Sequence, residues 1–277
     1  QDALDLLNFQ IKQKMNNRHF NTLSMFYYER LDINCLNHPT QDYFNIKISS
    51  SLFYGLKKEF SVLSYVIPKP GLGLRDYKFY VDERVIIPRS LIAESLSENL
   101  YPWIDDPETI YSALDLCTGS GCLGIMMAHS FQNATIDLVD LSEKALQVAQ
   151  INVDQYGLDE RIELIRSDLF DGLKGRKYDL IISNPPYVNQ ASVNNFPMEF
   201  LKEPSMALGS GDEGLDHTIR IIHEAKQYLN DGGMLIVEIG HNKEALLDKF
   251  PGLQFQWLDV SLGNDFVFML QKSQLSN

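Results

Sequence analysis

The sequence predicts an α/β protein with a doubly wound, mostly parallel sheet and a reversed last strand. From about Asp115 onward, short apolar runs rich in β-formers alternate with helical patterns, which is typical of such sheets. Near the end, Leu253–Val260 and Phe266–Leu270 are strand-like but are joined only by Ser261–Asp265. That connection is too short for a crossover helix, so we expect an antiparallel hairpin at the sheet edge.

The first part of the chain carries helical spacing and no strong strand pattern. Helical periodicity covers Gln1–Tyr28 and Ser49–Phe60, and the Pro- and Gly-rich run Pro68–Gly73 then interrupts it. Tyr77–Ile87 contains two short strand-like pieces around Asp82-Glu83. We therefore predict a small helical domain over residues 1–75, a hairpin linker over 76–90 and the main domain over 91–277.

The main domain contains five further strand candidates, each a short apolar run bounded by turn residues. They are Ile110–Cys117, Thr135–Leu141, Ile162–Asp168, Tyr178–Asn184 and Met234–Gly240. Between the second and third of these strands, Ser142–Tyr156 is predicted to be a helix, with Ser142 as its N-cap and Gly157 as its stop. A second helix is predicted over Leu215–Leu229, ended by Asn230–Gly233.

Composition narrows the class of protein. The 277 residues are 44% hydrophobic and 22% charged, and the net charge is −13. This acidic balance argues against direct nucleic-acid binding, which relies on basic surface, and it favours a basic partner. The three cysteines give neither a disulfide framework nor zinc spacing, and the six histidines show no paired metal spacing, so no metal is expected. The lack of a disulfide framework predicts a reduced, cytoplasmic compartment. No membrane span or signal peptide is visible, and membrane binding is not expected.

A glycine-rich turn follows the first strand of the main domain. Ala113–Gly124 closes a strand, turns at glycines and opens a helix, an arrangement that lets a backbone approach a ligand at a helix N-terminus. Gly119, Gly121 and Gly124 also fit a dinucleotide pattern, with Asp140 about twenty residues further on. Asp140 could accept hydrogen bonds from two ribose hydroxyls. A tight turn without a ligand and a solvated strand-end Asp are the alternatives.

Two more strand ends carry candidate site residues. Asp168 could accept a hydrogen bond from an adenine amino group, with Leu169 packing on the ring, although a turn or capping Asp is the alternative. Asn184-Pro185-Pro186-Tyr187 presents acceptors and an aromatic ring, which suits a planar NH2 group. Because the carboxyl ends of parallel strands lie at one edge of a sheet, we expect these residues and Asp115 to meet there.

These residues resemble the class I, S-adenosylmethionine-dependent methyltransferases, and Asn184–Tyr187 is similar to the motif of amino-group methylases. The resemblance narrows to the protein-glutamine methyltransferases, and within them to the branch that modifies large-subunit ribosomal protein three. It extends from about Phe79 to Leu275. The segments that carry it are Tyr80–Ser90, Leu114–Cys122, Ser167–Phe170, Glu203-Pro204 and Gly211–Leu215.

The resemblance implies a Rossmann-like seven-stranded sheet, a substrate-recognition role for residues 1–75 and S-adenosylmethionine as cofactor. The catalytic residues that it implies are Asn184, Pro185, Pro186 and Tyr187. The implied cofactor-binding residues are Asp115, Cys117, Thr118, Gly119, Ser120, Gly121, Asp140, Leu141, Asp168, Leu169 and Asn184. The implied reaction is methyl transfer to the side-chain amide nitrogen of a glutamine in a basic ribosomal protein.

Alternatives stay open on the sequence alone. A peptide-chain release factor is the substrate of the sister branch. A DNA adenine methylase would also present a planar NH2 to Asn184, but the acidic charge and the Phe79–Ser90 resemblance argue against it. An NAD-dependent oxidoreductase would explain the glycines and Asp140 but not Asn184–Tyr187. A noncatalytic binding module would leave intact cofactor and substrate motifs without a role.

Overall fold

The computed structural model describes residues 65–66, 77–188, 210 and 214–275. Within them, seven strands form one sheet in the order β5-β4-β3-β6-β7-β9-β8, and two short strands, β1 and β2, pair separately. The pairs among β3 to β7 are parallel, whereas β9 is antiparallel to both of its neighbours. The predicted parallel sheet with a reversed last strand and an antiparallel edge hairpin is therefore confirmed.

The strand bounds are close to the predicted ones for most of the main domain. The strands are β1 Tyr65–Val66, β2 Lys78–Phe79, β3 Ser112–Leu116, β4 Thr135–Asp140, β5 Ile162–Arg166, β6 Tyr178–Ser183, β7 Leu229–Glu238, β8 Gln256–Trp257 and β9 Val267–Gln271. The α-helices are α1 Ile92–Leu96, α2 Cys122–Ser130, α3 Glu143–Tyr156, α4 Asp216–Tyr228 and α5 Lys243–Lys249. Short 3-10 helices cover Pro107–Thr109 and Lys272–Gln274.

The sheet is covered on both faces, as a doubly wound fold requires. Alternate residues of β6 belong to different apolar clusters: Leu180 packs with α2 and α3, whereas Ile181 packs with α4 and α5. Along β3 the same alternation assigns Ala113 to the first cluster and Leu114 to the second. Successive side chains of a strand point to opposite faces of the sheet, and both faces are covered by helices. Polar side chains are therefore concentrated at the ends of the strands.

The caps of α3 are those that the sequence predicts. The Ser142 side chain accepts a hydrogen bond from the Ala145 backbone N–H at 3.2 Å. At the other end Gly157 adopts φ +63°, a left-handed conformation in which its N–H bonds to the last carbonyls of the helix. An N-cap serine and a C-terminal glycine thus define this helix from both sides.

The predicted helix stop at Asn230–Gly233 is confirmed, because α4 ends at Tyr228, but β7 begins at Leu229 rather than at the predicted Met234. Asn230 donates to the Asp179 carboxylate at 2.7 Å, which holds the segment against β6. Gly233 packs closely on the same strand: a Cβ there would lie 3.0 Å from the Tyr178 carbonyl oxygen. The Asn and Gly therefore serve a close, irregular strand pairing rather than a turn.

The hairpin predicted around Asp82-Glu83 is wrong. Only Lys78–Phe79 forms a strand, and it pairs with Tyr65–Val66. Beyond it, the Asn152 side chain satisfies the backbone of Tyr80 by accepting from its N–H at 2.6 Å and donating to its carbonyl at 3.0 Å. The Asn152 side chain thus makes the backbone hydrogen bonds that a neighbouring strand would make with Tyr80.

The other differences are smaller. The predicted strand Leu253–Val260 is reduced to Gln256–Trp257. The predicted helical stretches Gln1–Tyr28 and Ser49–Phe60 lie outside the described residues. Among the residues that are described, no helix is both long and apolar enough to cross a membrane.

Candidate active site

The predicted site residues meet at one edge of the sheet. The carboxyl ends of β3, β4, β5, β6 and β7 lie side by side there, and the strand order reverses between β3 and β6. Hydrogen bonds connect the ends: the Thr118 N–H donates to the Val139 carbonyl at 3.0 Å, and the Ser183 hydroxyl donates to the Leu116 carbonyl at 2.9 Å. In open α/β sheets this reversal point is where ligands bind.

The glycine-rich turn after β3 has the backbone that its sequence predicts. Gly119 and Gly121 have φ +56° and +81°, in the left-handed region that glycine adopts at little cost. Gly124 has a different reason to be glycine, because a Cβ there would lie 1.9 Å from a methyl carbon of Leu138. The first two glycines shape the turn, and the third lets α2 pack closely on β4.

Asp115 is a buried acid at the base of this turn. It is 1% exposed, and its Oδ2 accepts from the Thr118 hydroxyl at 2.6 Å and from the Gly124 N–H at 3.0 Å. Its Oδ1 is buried and has no hydrogen-bond partner among the described residues. Burial raises the pKa of Asp115 to about 7, because removal from water disfavours the carboxylate.

Asp140 links the end of β4 to the glycine turn. Its Oδ2 accepts from the Gly119 N–H at 2.9 Å, and its Oδ1 accepts from the Ser142 N–H at 2.8 Å. Burial raises the pKa of Asp140, and these backbone donors oppose that effect. Leu141 follows and is 46% exposed, so an apolar side chain lies open to solvent directly beside this carboxylate.

Asp168 and Leu169 follow β5 but differ from the predicted arrangement. Asp168 is 51% exposed on its side chain, and its Oδ1 accepts from Arg220 Nη1 at 2.9 Å. An adenine amino group would therefore have to use the other carboxylate oxygen. Leu169 is only 4% exposed and packs in the core with Phe170, so little of its side chain is available to cover a ring. The adenine contacts of both residues stay a prediction.

Of the two cysteines of the turn, Cys122 is buried and Cys117 is partly buried. Cys117 adopts φ +61° at the end of β3, and Cys122 begins α2. Burial raises the pKa of Cys122 to about 12 and that of Cys117 further, so both thiols stay protonated at neutral pH. These side chains therefore shape the turn by packing. Among the described residues, no cluster of His, Cys, Asp and Glu is arranged to hold a metal ion.

Asn184–Tyr187 leaves the end of β6 beside the glycine turn. Pro185 is buried, whereas Asn184, Pro186 and Tyr187 are partly exposed. Gly240 packs against the Tyr187 ring so closely that a Cβ there would lie 2.7 Å from a ring carbon. The Asn184 side chain and the Tyr187 ring are thus partly open to solvent, and the ring packs against Gly240.

Three side chains that support this site are absent from the sequence-based prediction. Asn152 of α3 is fully buried and donates to the Ser120 carbonyl at 2.8 Å, which ties the glycine turn to Tyr80. Asn242 donates to the Tyr187 carbonyl at 2.8 Å. Glu238 ends β7 and accepts from the Tyr187 hydroxyl at 3.4 Å. Two of these residues carry a signal in the sequence: Asn152 is a polar residue on the apolar face of a helix, and Glu238 is an acid that ends an apolar run.

Sequence comparisons identify closely similar proteins. A family model described as the methyltransferase small domain matches residues 96–216. A ribosomal protein uL3 glutamine methyltransferase of Neisseria gonorrhoeae is 56% identical over 200 residues, which are 72% of this chain and 67% of that protein. Its counterpart in Burkholderia pseudomallei is 49% identical over 209 residues, covering 73% of this chain and 68% of the relative. The chain thus spans about two thirds of the length of these relatives.

Solved structures support the fold. The hMettl16 catalytic domain, crystallised in complex with MAT2A 3'UTR hairpin 6, matches with a TM-score of 0.54 at 16% identity. The match covers 70% of this chain and 74% of that one. At this identity the likeness concerns the fold alone.

Proposed function

The chain belongs to the family of ribosomal protein uL3 glutamine methyltransferases, and from this premise we propose that it methylates the side-chain amide nitrogen of a glutamine in uL3. The methyl donor in this proposal is S-adenosylmethionine. The net charge of −13 suits a basic ribosomal protein as partner. A cytoplasmic site of action is part of the proposal. The observation that carries the proposal is the position of Asn184–Tyr187, at the end of β6 directly beside the glycine turn of β3.

The residues of the crevice fit a sulfonium cofactor. Asp115 Oδ1 is a buried acceptor without a partner among the described residues, and Asp140 bridges the glycine turn and the end of β4. In this proposal Asp115 suits the cationic methionine end of the cofactor, and Asp140 suits its ribose hydroxyls. The exposed Leu141 side chain offers an apolar surface for the adenine base. When bound, the cofactor supplies an already activated methyl group.

Asn184 and Pro185 orient and activate the substrate nitrogen in this proposal. An amide nitrogen is a weak nucleophile because its lone pair is delocalised into the carbonyl. The Asn184 side-chain oxygen and the Pro185 carbonyl would accept hydrogen bonds from the substrate NH2, which concentrates electron density on the nitrogen. Orientation alone can contribute up to about 7–11 kcal/mol in favourable cases. The chain therefore needs acceptors at this point rather than a strong base, because an alkylated nitrogen loses its proton readily.

Tyr187 would cover one face of the substrate amide. Its ring lies partly exposed at the crevice and is packed from below on Gly240. An electron-rich ring also favours a passing positive charge. Pro186 removes one backbone N–H from the loop, so that acceptors predominate where the substrate amide would bind.

The proposal also assigns a separate function to each segment of the chain. We assign catalysis to residues 91–277 and recognition of uL3 to residues 1–75, with 76–90 as the linker. The acidic balance argues against direct binding of nucleic acid, since that would require a basic surface. Binding to membranes is not expected either.

A transfer assay with labelled methyl donor tests the proposed function. The chain is incubated in turn with uL3, a peptide-chain release factor and DNA. We expect label on uL3 alone, because the family premise and the Asn184–Tyr187 loop point to a glutamine amide. Label on the release factor would assign the chain to the sister specificity, and label on DNA would overturn the protein substrate. Asp179→Asn, at the opposite edge of the sheet, is the matched control for a general loss of stability.

A further inference from the structure

Glu238 is a buried acid that follows an apolar run at the end of β7. It follows Leu235, Ile236 and Val237 in β7 and is 3% exposed. Burying a carboxyl group is costly unless it is hydrogen-bonded, so the position must be compensated by specific partners. The proposed chemistry does not use this side chain, and its burial therefore calls for another explanation.

Among the described residues, hydrogen-bond partners of Glu238 come from two separate segments. Its Oε2 accepts from the Ser90 hydroxyl at 2.6 Å and from the Leu91 N–H at 2.7 Å. Its Oε1 accepts from the Tyr187 hydroxyl at 3.4 Å. One carboxyl group thus joins the turn that begins α1 to the aromatic ring of the Asn184–Tyr187 loop.

The sheet register brings Glu238 level with the site. Ser183 of β6 pairs with Val237 of β7 in the parallel ladder, so Asn184 and Glu238 each follow that pair by one residue. Glu238 consequently lies at the same carboxyl edge as the acceptor loop. The Tyr187 ring is held between two contacts, since its hydroxyl reaches Glu238 and its ring carbons pack on Gly240.

We propose that Glu238 is a positioning residue that fixes the Tyr187 ring against the Ser90–Leu91 turn. The inference rests on the proposed function, because the ring is useful only if it covers the substrate amide. Glu238 acts through Tyr187 and does not touch the reacting atoms. Its two oxygens have different tasks: Oε2 holds the turn, and Oε1 orients the ring.

The test uses Glu238→Gln, Tyr187→Phe and the double variant. Glutamine keeps the volume of the side chain but has only one acceptor oxygen, so it cannot accept from both segments. We expect each single variant to lower kcat for uL3 methylation by roughly 10- to 100-fold, since small misplacements near a reacting group have effects of this size. The dissociation constant for the cofactor should change by less than about threefold, because the crevice side chains of β3 and β4 are untouched.

The double variant separates a shared role from independent ones. If Glu238 acts through the Tyr187 hydroxyl, the double variant is no slower than the slower single variant. If the losses of kcat in Glu238→Gln and Tyr187→Phe multiply in the double variant, the two side chains act independently and the proposal is overturned. Asp179→Asn is the control: Asp179 also accepts from backbone N–H groups, those of Tyr111 and Ser112, but at the amino edge of the sheet. It should lower stability without lowering kcat, and an equal loss of kcat in this control would contradict the positioning role.

A second readout does not depend on activity. Amide hydrogen exchange of Tyr187 and Val188 should become faster in Glu238→Gln and stay unchanged in Asp179→Asn, because only the first variant releases the ring. Unchanged exchange in Glu238→Gln would overturn the proposal even if methylation failed. If the wild-type chain does not methylate uL3 but Glu238→Gln still shows faster exchange than the wild type, the proposed function is refuted and the positioning contact is supported.

Discussion

Replacing Gly240 with alanine tests whether the position of the Tyr187 ring controls the reaction. Gly240 has φ +57°, and a Cβ there would lie 2.7 and 2.8 Å from two ring carbons of Tyr187. Ordinary carbon contacts are near 3.5–4.0 Å, so the ring must move by close to 1 Å. A misplacement of about 1 Å can cost about 100-fold in rate, or about 2.7 kcal/mol of activation free energy.

The matched control is Gly232→Ala. Gly232 lies in β7 with φ +80°, and nothing lies within 4 Å of its would-be Cβ. Both variants pay the left-handed backbone cost of roughly 1–2 kcal/mol, but only Gly240→Ala displaces the ring. We therefore expect similar losses of stability in urea titrations and a loss of kcat, up to about 100-fold, in Gly240→Ala alone. Equal turnover by the two variants would refute the idea that the ring must be held in place.

Three further predictions address the rest of the site. Asp140→Ala should weaken cofactor binding by at least about tenfold in calorimetry, because it removes the proposed ribose acceptor and the hydrogen bond to Gly119; an unchanged affinity would sink the ribose assignment. Asn184→Ala should lower kcat by roughly 100-fold or more, with a smaller effect on cofactor affinity, and near wild-type turnover would contradict its role. The folded-state pKa of Asp115 is raised to about 7, so its contribution to stability is complete below about pH 4 and is lost as the pH rises to 7. Urea titrations should show this decline, of up to about 4 kcal/mol, and Asp115→Asn should flatten it; an equally steep decline in the variant would assign it to other groups.

The main domain is largely predictable from sequence because its signals are local. The apolar strands, the Ser142 and Gly157 caps and the short link before β9 each specify their element within a few residues. The early start of β7, at Leu229 instead of Met234, has the opposite cause. Asn230–Gly233 is typical of a turn, but contacts with Asp179 and Tyr178 on a distant strand hold these residues in β7. Long-range packing overrides local propensity there.

The same distinction applies to the site. The glycine turn, Asp140 and Asn184–Tyr187 are predicted from informative residue types and spacing, and they lie at the carboxyl ends of neighbouring strands. Glu238 was missed although it stands out as an acid at the end of an apolar strand, since its partner Ser90 is separated from it by 148 residues. The pairing of Asp168 with Arg220 was likewise invisible, because two side chains on different elements reveal no pattern along the chain.

Peptide mass spectrometry of uL3 after incubation with the chain and S-adenosylmethionine tests the central claim most directly. We predict one added methyl group on the side-chain amide of a single glutamine, and no added methyl group when Asn184→Ala replaces the wild type. A methyl group on any other residue type would contradict this claim. So would uL3 that stays unmodified while the same wild-type chain methylates a different substrate.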